Sequence, residues 1–90
     1  MPDPDLDAFT ILLAQLEFGA LVGLGVVENP STREKKREPQ HAKVFIDQME
    51  MLAVKTRGNL TAEEGHILES LLFDLRLRYV EALKASPAGG

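Results

Sequence analysis

Lys55-Thr56-Arg57-Gly58-Asn59-Leu60-Thr61-Ala62-Glu63-Glu64 is the stretch that decides the fold. Lys55 and Arg57 place positive charge where a helix dipole ends, and Gly58 offers the left-handed residue that commonly follows a helix C-terminus. Thr61-Ala62-Glu63-Glu64 is then a capping box, in which the Thr61 hydroxyl accepts from the Glu64 amide and the Glu64 carboxylate accepts from the Thr61 amide. A helix stop followed at once by a helix start predicts an antiparallel hairpin, with the turn at 58–60. Leu60 stands where a hydrophobic staple would, but its partner position is Gly65, so the staple is weak. Lys55, Gly58, Asn59, Thr61 and Glu64 therefore read as a structural corner, with a binding corner as the alternative.

The hairpin arms follow from periodicity. On the helix predicted for 40–57, Ala42, Phe45, Ile46, Met49, Leu52, Ala53 and Thr56 share one face, with Lys43, Asp47, Glu50 and Lys55 largely elsewhere. On the helix predicted for 61–85, Leu68, Leu71, Leu72, Leu75, Tyr79, Ala82 and Leu83 form the main stripe, and Phe73, Leu77 and Val80 form a second one. Asp47 and Arg76 are expected to pair across the hairpin. Ser86-Pro87-Ala88-Gly89-Gly90 is rich in helix breakers and reads as a flexible tail, and residues 1–6 as a flexible N-terminus.

Upstream, a helix is predicted for 7–27, carrying Phe9, Leu12, Leu13, Leu16, Ala20, Leu24 and Val27 on one face and Ile11, Phe18 and Val22 on another. Apolar residues on two sides suggest a helix buried between neighbours, and three helices supply few. Gly19 and Gly23 form a GxxxG arrangement that lets two helix backbones approach closely, read here as tight core packing rather than a dimer seam. Gly23-Leu24-Gly25 lacks the preceding strand and the third glycine of a dinucleotide loop, and more simply loosens or ends the helix. Phe9 to Val27 is long and apolar enough to raise the question of a membrane span, but Glu17 lies near its centre, where a carboxylate is costly. Asn29-Pro30 breaks the helix, and 28–39 reads as an exposed, mobile loop.

Composition bounds what such a chain can do. It has 90 residues, 44% hydrophobic and 27% charged, with a formal net charge of -4 and no cysteine. That is one small globular domain whose thin core leaves no room for a large enclosed active site. The absence of cysteine excludes disulfides, thiolate catalysis and zinc-thiolate sites, and fits a cytoplasmic home. The acidic start of the chain lacks the positive charge of a signal peptide. Acidic balance argues against a dedicated nucleic-acid binder. The charge is uneven: residues 1–30 hold five acidic side chains and no Lys or Arg, whereas Arg33, Lys35, Lys36 and Arg37 make a basic patch.

That patch could touch the phosphates of RNA or of an anionic membrane surface, although Glu34 and Glu38 interrupt it and no aromatic residue is near for base stacking. Glu63 and His66 have the Glu-x-x-His spacing of di-iron bundles, but a single copy with Glu69 does not supply the further ligands such a site needs. His41 reads as a surface residue at a helix start. Ser31, Ser70 and Ser86 have no base and orienting group beside them in any recognisable arrangement. The sequence therefore predicts no catalytic residue, no cofactor and no metal.

Leu24-Gly25, Asn29-Pro30, Ala42, Ile46-Asp47, the Lys55 to Leu60 motif and Leu75-Arg76 through Tyr79-Val80 together resemble the bacterial family known as domain of unknown function 1844. The likeness runs from about Phe9 to Val80 and is most specific at Lys55 to Leu60. It implies no activity, substrate, cofactor or catalytic residue.

The expected architecture is all-α: a long N-terminal helix packed with an antiparallel helical hairpin, completed by oligomerisation. Leu13, Leu16, Leu68, Leu72 and Leu75 are expected in the core. Ile11, Phe18, Val22, Phe73, Leu77 and Val80 are the candidate interface. The function this predicts is a non-enzymatic interaction or self-association module, whose partner is a second copy or another protein.

Overall fold

The corner forms as a helix stop joined to a helix start. In the computed structural model, which describes residues 8–85, the Thr61 N–H donates to the Glu64 carboxylate at 2.9 Å and the Glu64 N–H donates to the Thr61 hydroxyl at 3.1 Å. On the other side, the Thr56 hydroxyl donates to the Leu52 carbonyl at 2.6 Å, and the Asn59 N–H closes a turn onto the Thr56 carbonyl at 2.8 Å. Gly58 occupies the third position of that turn with φ +87°, where a side chain would be strained. Leu60, with no side chain at Gly65 to meet, packs against the core.

Three helices result: α1 (Ala8–Gly23), α2 (Pro39–Lys55) and α3 (Ala62–Ala85), with no strand among the described residues. The expected flexible ends, 1–6 and 86–90, and the expected helix start at residue 7 lie outside the described residues. Helix α1 stops at Gly23 rather than Val27. Gly25 takes φ +77°, its N–H donates to the Val22 carbonyl at 3.0 Å, and the Val26 N–H donates to the Leu21 carbonyl at 3.0 Å. This is the Schellman arrangement, which ends a helix even though the apolar spacing runs on through Leu24 and Val27.

Helix α1 runs antiparallel to α2, and its glycines set how close the two come. A methyl group added at Gly23 would stand 2.6 Å from the Ala42 backbone nitrogen, and one added at Gly19 would stand 2.6 Å from the Phe45 ring. The GxxxG pair is thus consumed inside the chain.

The connection between α1 and α2 is exposed at 31–38, as expected, and is tied to the helices and across its own tip by backbone hydrogen bonds. The Glu38 N–H donates to the Gly23 carbonyl at 2.7 Å, and the Asn29 N–H donates to the Glu34 carbonyl at 2.9 Å. Within the tip, the Asn29 side chain accepts from the Ser31 N–H at 2.8 Å, an Asx turn, and Arg33 takes the left-handed region at φ 63°. Pro39, which has no N–H to leave unsatisfied, begins α2.

Leu13, Ala20, Leu24, Ala42, Ile46, Met49, Leu68, Leu72, Leu75 and Ala82 are buried, with Leu16 packed against them and partly exposed. The molecule measures 43 × 26 × 16 Å, a slab one or two helices thick. Each helix therefore keeps one side facing outward.

Candidate functional site

The outward sides are where this chain departs from an ordinary small globule. On α3, Phe73 is 71% exposed, with Leu77 at 51% and Val80 at 45%, in one stripe at spacings of four and three. On α1, Ile11 and Phe18 are each 46% exposed. The second stripe of α1 is thus left open rather than buried between neighbours, because α2 and α3 both lie on its inner side. Val22 differs from the other five interface candidates: it is half-buried in a groove under the loop, shared with Asn29, Thr32, Glu34, Lys36, Glu38 and His41.

A third stripe on α2 was not legible as a surface. Val44, Met51 and Val54 are all exposed, on the side of α2 away from the buried Ala42, Ile46 and Met49. Their spacing of seven and three residues was the available signal; the stronger inward stripe of the same helix masks it.

The α1 stripe borders an open groove of about 380 Å³ lined by Thr10, Ile11, Ala14, Gln15 and Phe18. Ile11, Ala14, Gln15 and Phe18 stand at i, i+3, i+4 and i+7, the four positions that make the hole into which a side chain of a facing helix inserts in a coiled coil. Ala14 forms a low floor and Ile11 and Phe18 form the walls.

The charged groups make pairs rather than a site. Arg76 donates to the Glu50 carboxylate through Nε at 2.9 Å and approaches it through a terminal nitrogen at 2.8 Å. The expected Asp47–Arg76 pair does not form. Glu50 lies nearly one turn further along α2 and on the flank toward α3, so the guanidinium takes it, while Asp47 accepts from the Lys43 ammonium at 2.8 Å. That hydrogen bond and the Asp47 charge hold the Lys43 pKa above the ordinary lysine value. Arg78 pairs with Asp74 on α3 itself.

Arg33, Lys35, Lys36 and Arg37 are all exposed on the loop, and Lys36 reaches Glu38 at 4.0 Å. Glu34 and Glu38 stand among them, so the positive charge is partly offset where it is densest. His41 is exposed and meets the Phe45 ring edge-on, with centroids 5.7 Å apart. Glu63, His66 and Glu69 are exposed on α3, and among the described residues no group of three or more His, Cys, Asp or Glu side chains could hold a metal ion. No polar or charged side chain among the described residues is buried. At the corner, Lys55, Gly58, Asn59 and Thr61 are exposed beside a groove of about 260 Å³ lined in part by Gly58, Thr61, Gly65 and Leu68. No described helix is long and apolar enough to cross a membrane.

The pattern of structural residues, Gly25 at the helix stop, Asn29 in its Asx turn, Ala42 under Gly23 and Gly58 at the corner, spans most of the chain. A family model described as "Domain of unknown function (DUF1844)" matches residues 7–81. The chain belongs to the DUF1844 family. The match takes in both connections and all but the last residues of α3, so the α1 stripe and the α3 stripe both lie within the DUF1844 region. No curated protein and no solved structure matches the chain.

Proposed function

We propose that this protein is a non-enzymatic protein-interaction module that self-associates by covering its outer apolar faces. One observation carries the reading: large apolar side chains stand on the solvent side of all three helices, led by Phe73, Leu77, Ile11 and Phe18. Fully burying one such side chain is worth about 1.5–3 kcal/mol, so a few of them in one seam can drive association of a domain whose own core is thin. The open grooves and the exposure of the described charged side chains support the same reading, since a catalytic group is usually held in a shielded, desolvated place.

Sedimentation equilibrium of the untagged chain over a wide concentration range tests it. A dimer or larger assembly is the expected result. A monomeric mass throughout would overturn self-association.

A further inference from the structure

We infer that the outer face of α3 is the seam of self-association, and that its occupant is α3 of a second copy running antiparallel. This rests on the self-association reading above and specifies where it occurs. The first support is periodicity. Phe73, Leu77 and Val80 belong to a longer row: the alternation of three and four residues runs back through Ser70, His66 and Glu63 and on to Lys84, and every member is exposed. Sustained from Glu63 to Lys84, that alternation keeps one side of a helix against a facing helix, as in a coiled-coil seam. Phe73 is the most exposed large apolar side chain among the described residues.

The second support is register. With a two-fold axis level with Leu75, Phe73 of one copy stands level with the partner's Leu77, and Ser70 with the partner's Val80. Phe73 and Leu77 then cover each other twice, once on either side of the axis, and the small Ser70 leaves room for Val80. Shifting the pairing by one layer sets Phe73 level with the partner's Lys84, or Leu77 level with the partner's His66, so the Leu75-centred register covers the most apolar surface.

The third support is charge, and it sets the direction. The row is acidic at its start, where Glu63 and its neighbour Glu69 stand, and basic at its end, at Lys84; none of the three forms an ion pair with a described residue. Antiparallel pairing sets each Lys84 level with the partner's His66 and within one turn of the partner's Glu63 and Glu69, so both ends of the seam join opposite charges. Parallel pairing would set Glu63 against Glu63 and Lys84 against Lys84. The like charges that meet near the two-fold axis, Arg76 and Asp74, are already paired within each chain with Glu50 and Arg78. On α1 the only ionisable side chain is Glu17, so no charge on its outer face selects a second copy.

The chain has no cysteine, so introduced thiols report position without interference. Ser70→Cys and Val80→Cys chains, mixed, are expected to join through a short thiol-reactive crosslinker, because those positions stand level across the seam. Each variant alone is expected to stay unlinked, since antiparallel pairing holds its two thiols about 15 Å apart along the helices. Gln15→Cys, on the outer face of α1, is also expected to stay unlinked. Phe73→Glu, at an exposed position, should give the monomer mass with helicity unchanged. Lys84→Glu should raise the dimer dissociation constant about tenfold, and adding Glu63→Lys and Glu69→Lys should restore it.

A wild-type dimer with Gln15→Cys linked, or with the mixture of Ser70→Cys and Val80→Cys unlinked, would overturn the α3 seam and leave self-association standing. Linking of Ser70→Cys to itself would overturn the antiparallel direction. A Lys84→Glu dimer as tight as the wild type would overturn the pairing of charges at the ends. A monomeric wild type would overturn the seam and self-association together.

Discussion

The two connections of this domain join antiparallel helices by opposite means. At the α2–α3 corner, side chains do the joining: Thr61 and Glu64 cap one helix, and Thr56 returns its hydroxyl to the other. Between α1 and α2 the joining is done by backbone and by the lack of side chains, through Gly23 against Ala42, Gly25 against Arg37 and the Glu38 to Gly23 hydrogen bond. The corner is thus a local device that any similar sequence would form, and the crossing is a tertiary one that exists only when both helices are in place. Local devices tolerate single losses, because each contributes on the order of 1 kcal/mol, whereas a tight backbone contact has nowhere to move.

The sharpest way to break the crossing is Gly23→Ala. Its new methyl would meet Ala42 backbone at 2.6 and 2.9 Å, and overpacking of this kind costs about 1–3 kcal/mol or more. Gly19→Ala meets only the far end of the Phe45 ring, which can swing aside, so its cost should be the smaller of the two. Denaturant unfolding of both variants checks the order; equal midpoints would mean that the crossing is looser than its geometry.

The corner should answer more mildly, and in both directions. Thr61→Ala removes one half of the capping box and should lower stability by about 1 kcal/mol. Gly65→Ala, four residues on, places its methyl in open space within a helix and should raise stability by up to about 1 kcal/mol. A loss at Gly65 would show that the corner is as tightly fitted as the crossing. Weakest of all is the link between α2 and α3 on the surface: Glu50→Gln leaves Arg76 half-exposed and should cost less than about 1 kcal/mol, less again in high salt.

What could be read from the sequence divides along the same line. The capping box, the Gly58 turn and the inward stripes of α2 and α3 are short-range patterns, and the residues spell them out. So do the exposed Phe73, Leu77 and Val80, which fall outside the main stripe of their helix. The end of α1 was misplaced because Leu24 and Val27 continue its apolar spacing, while the glycine that stops it acts through φ and two backbone hydrogen bonds. The hydrogen bonds of the loop are illegible for a related reason: they come from main-chain donors such as Asn29 and Glu38, which no side-chain pattern displays. Arg76 pairs with Glu50 rather than Asp47 because helix register across the hairpin is set by core packing, which brings Glu50, nearly one turn further along α2, to the guanidinium. The groove at Ile11, Ala14, Gln15 and Phe18 needed the fold, since only the positions of α2 and α3 leave that side of α1 uncovered.

Glu38 shows what the crossing implies for motion. Its side chain faces solvent, yet its amide is tied to the last turn of α1 through the Gly23 carbonyl. That proton can trade with solvent deuterium only when the start of α2 lifts from the end of α1, so its exchange rate is a clock for the undocking of the first helix from the hairpin.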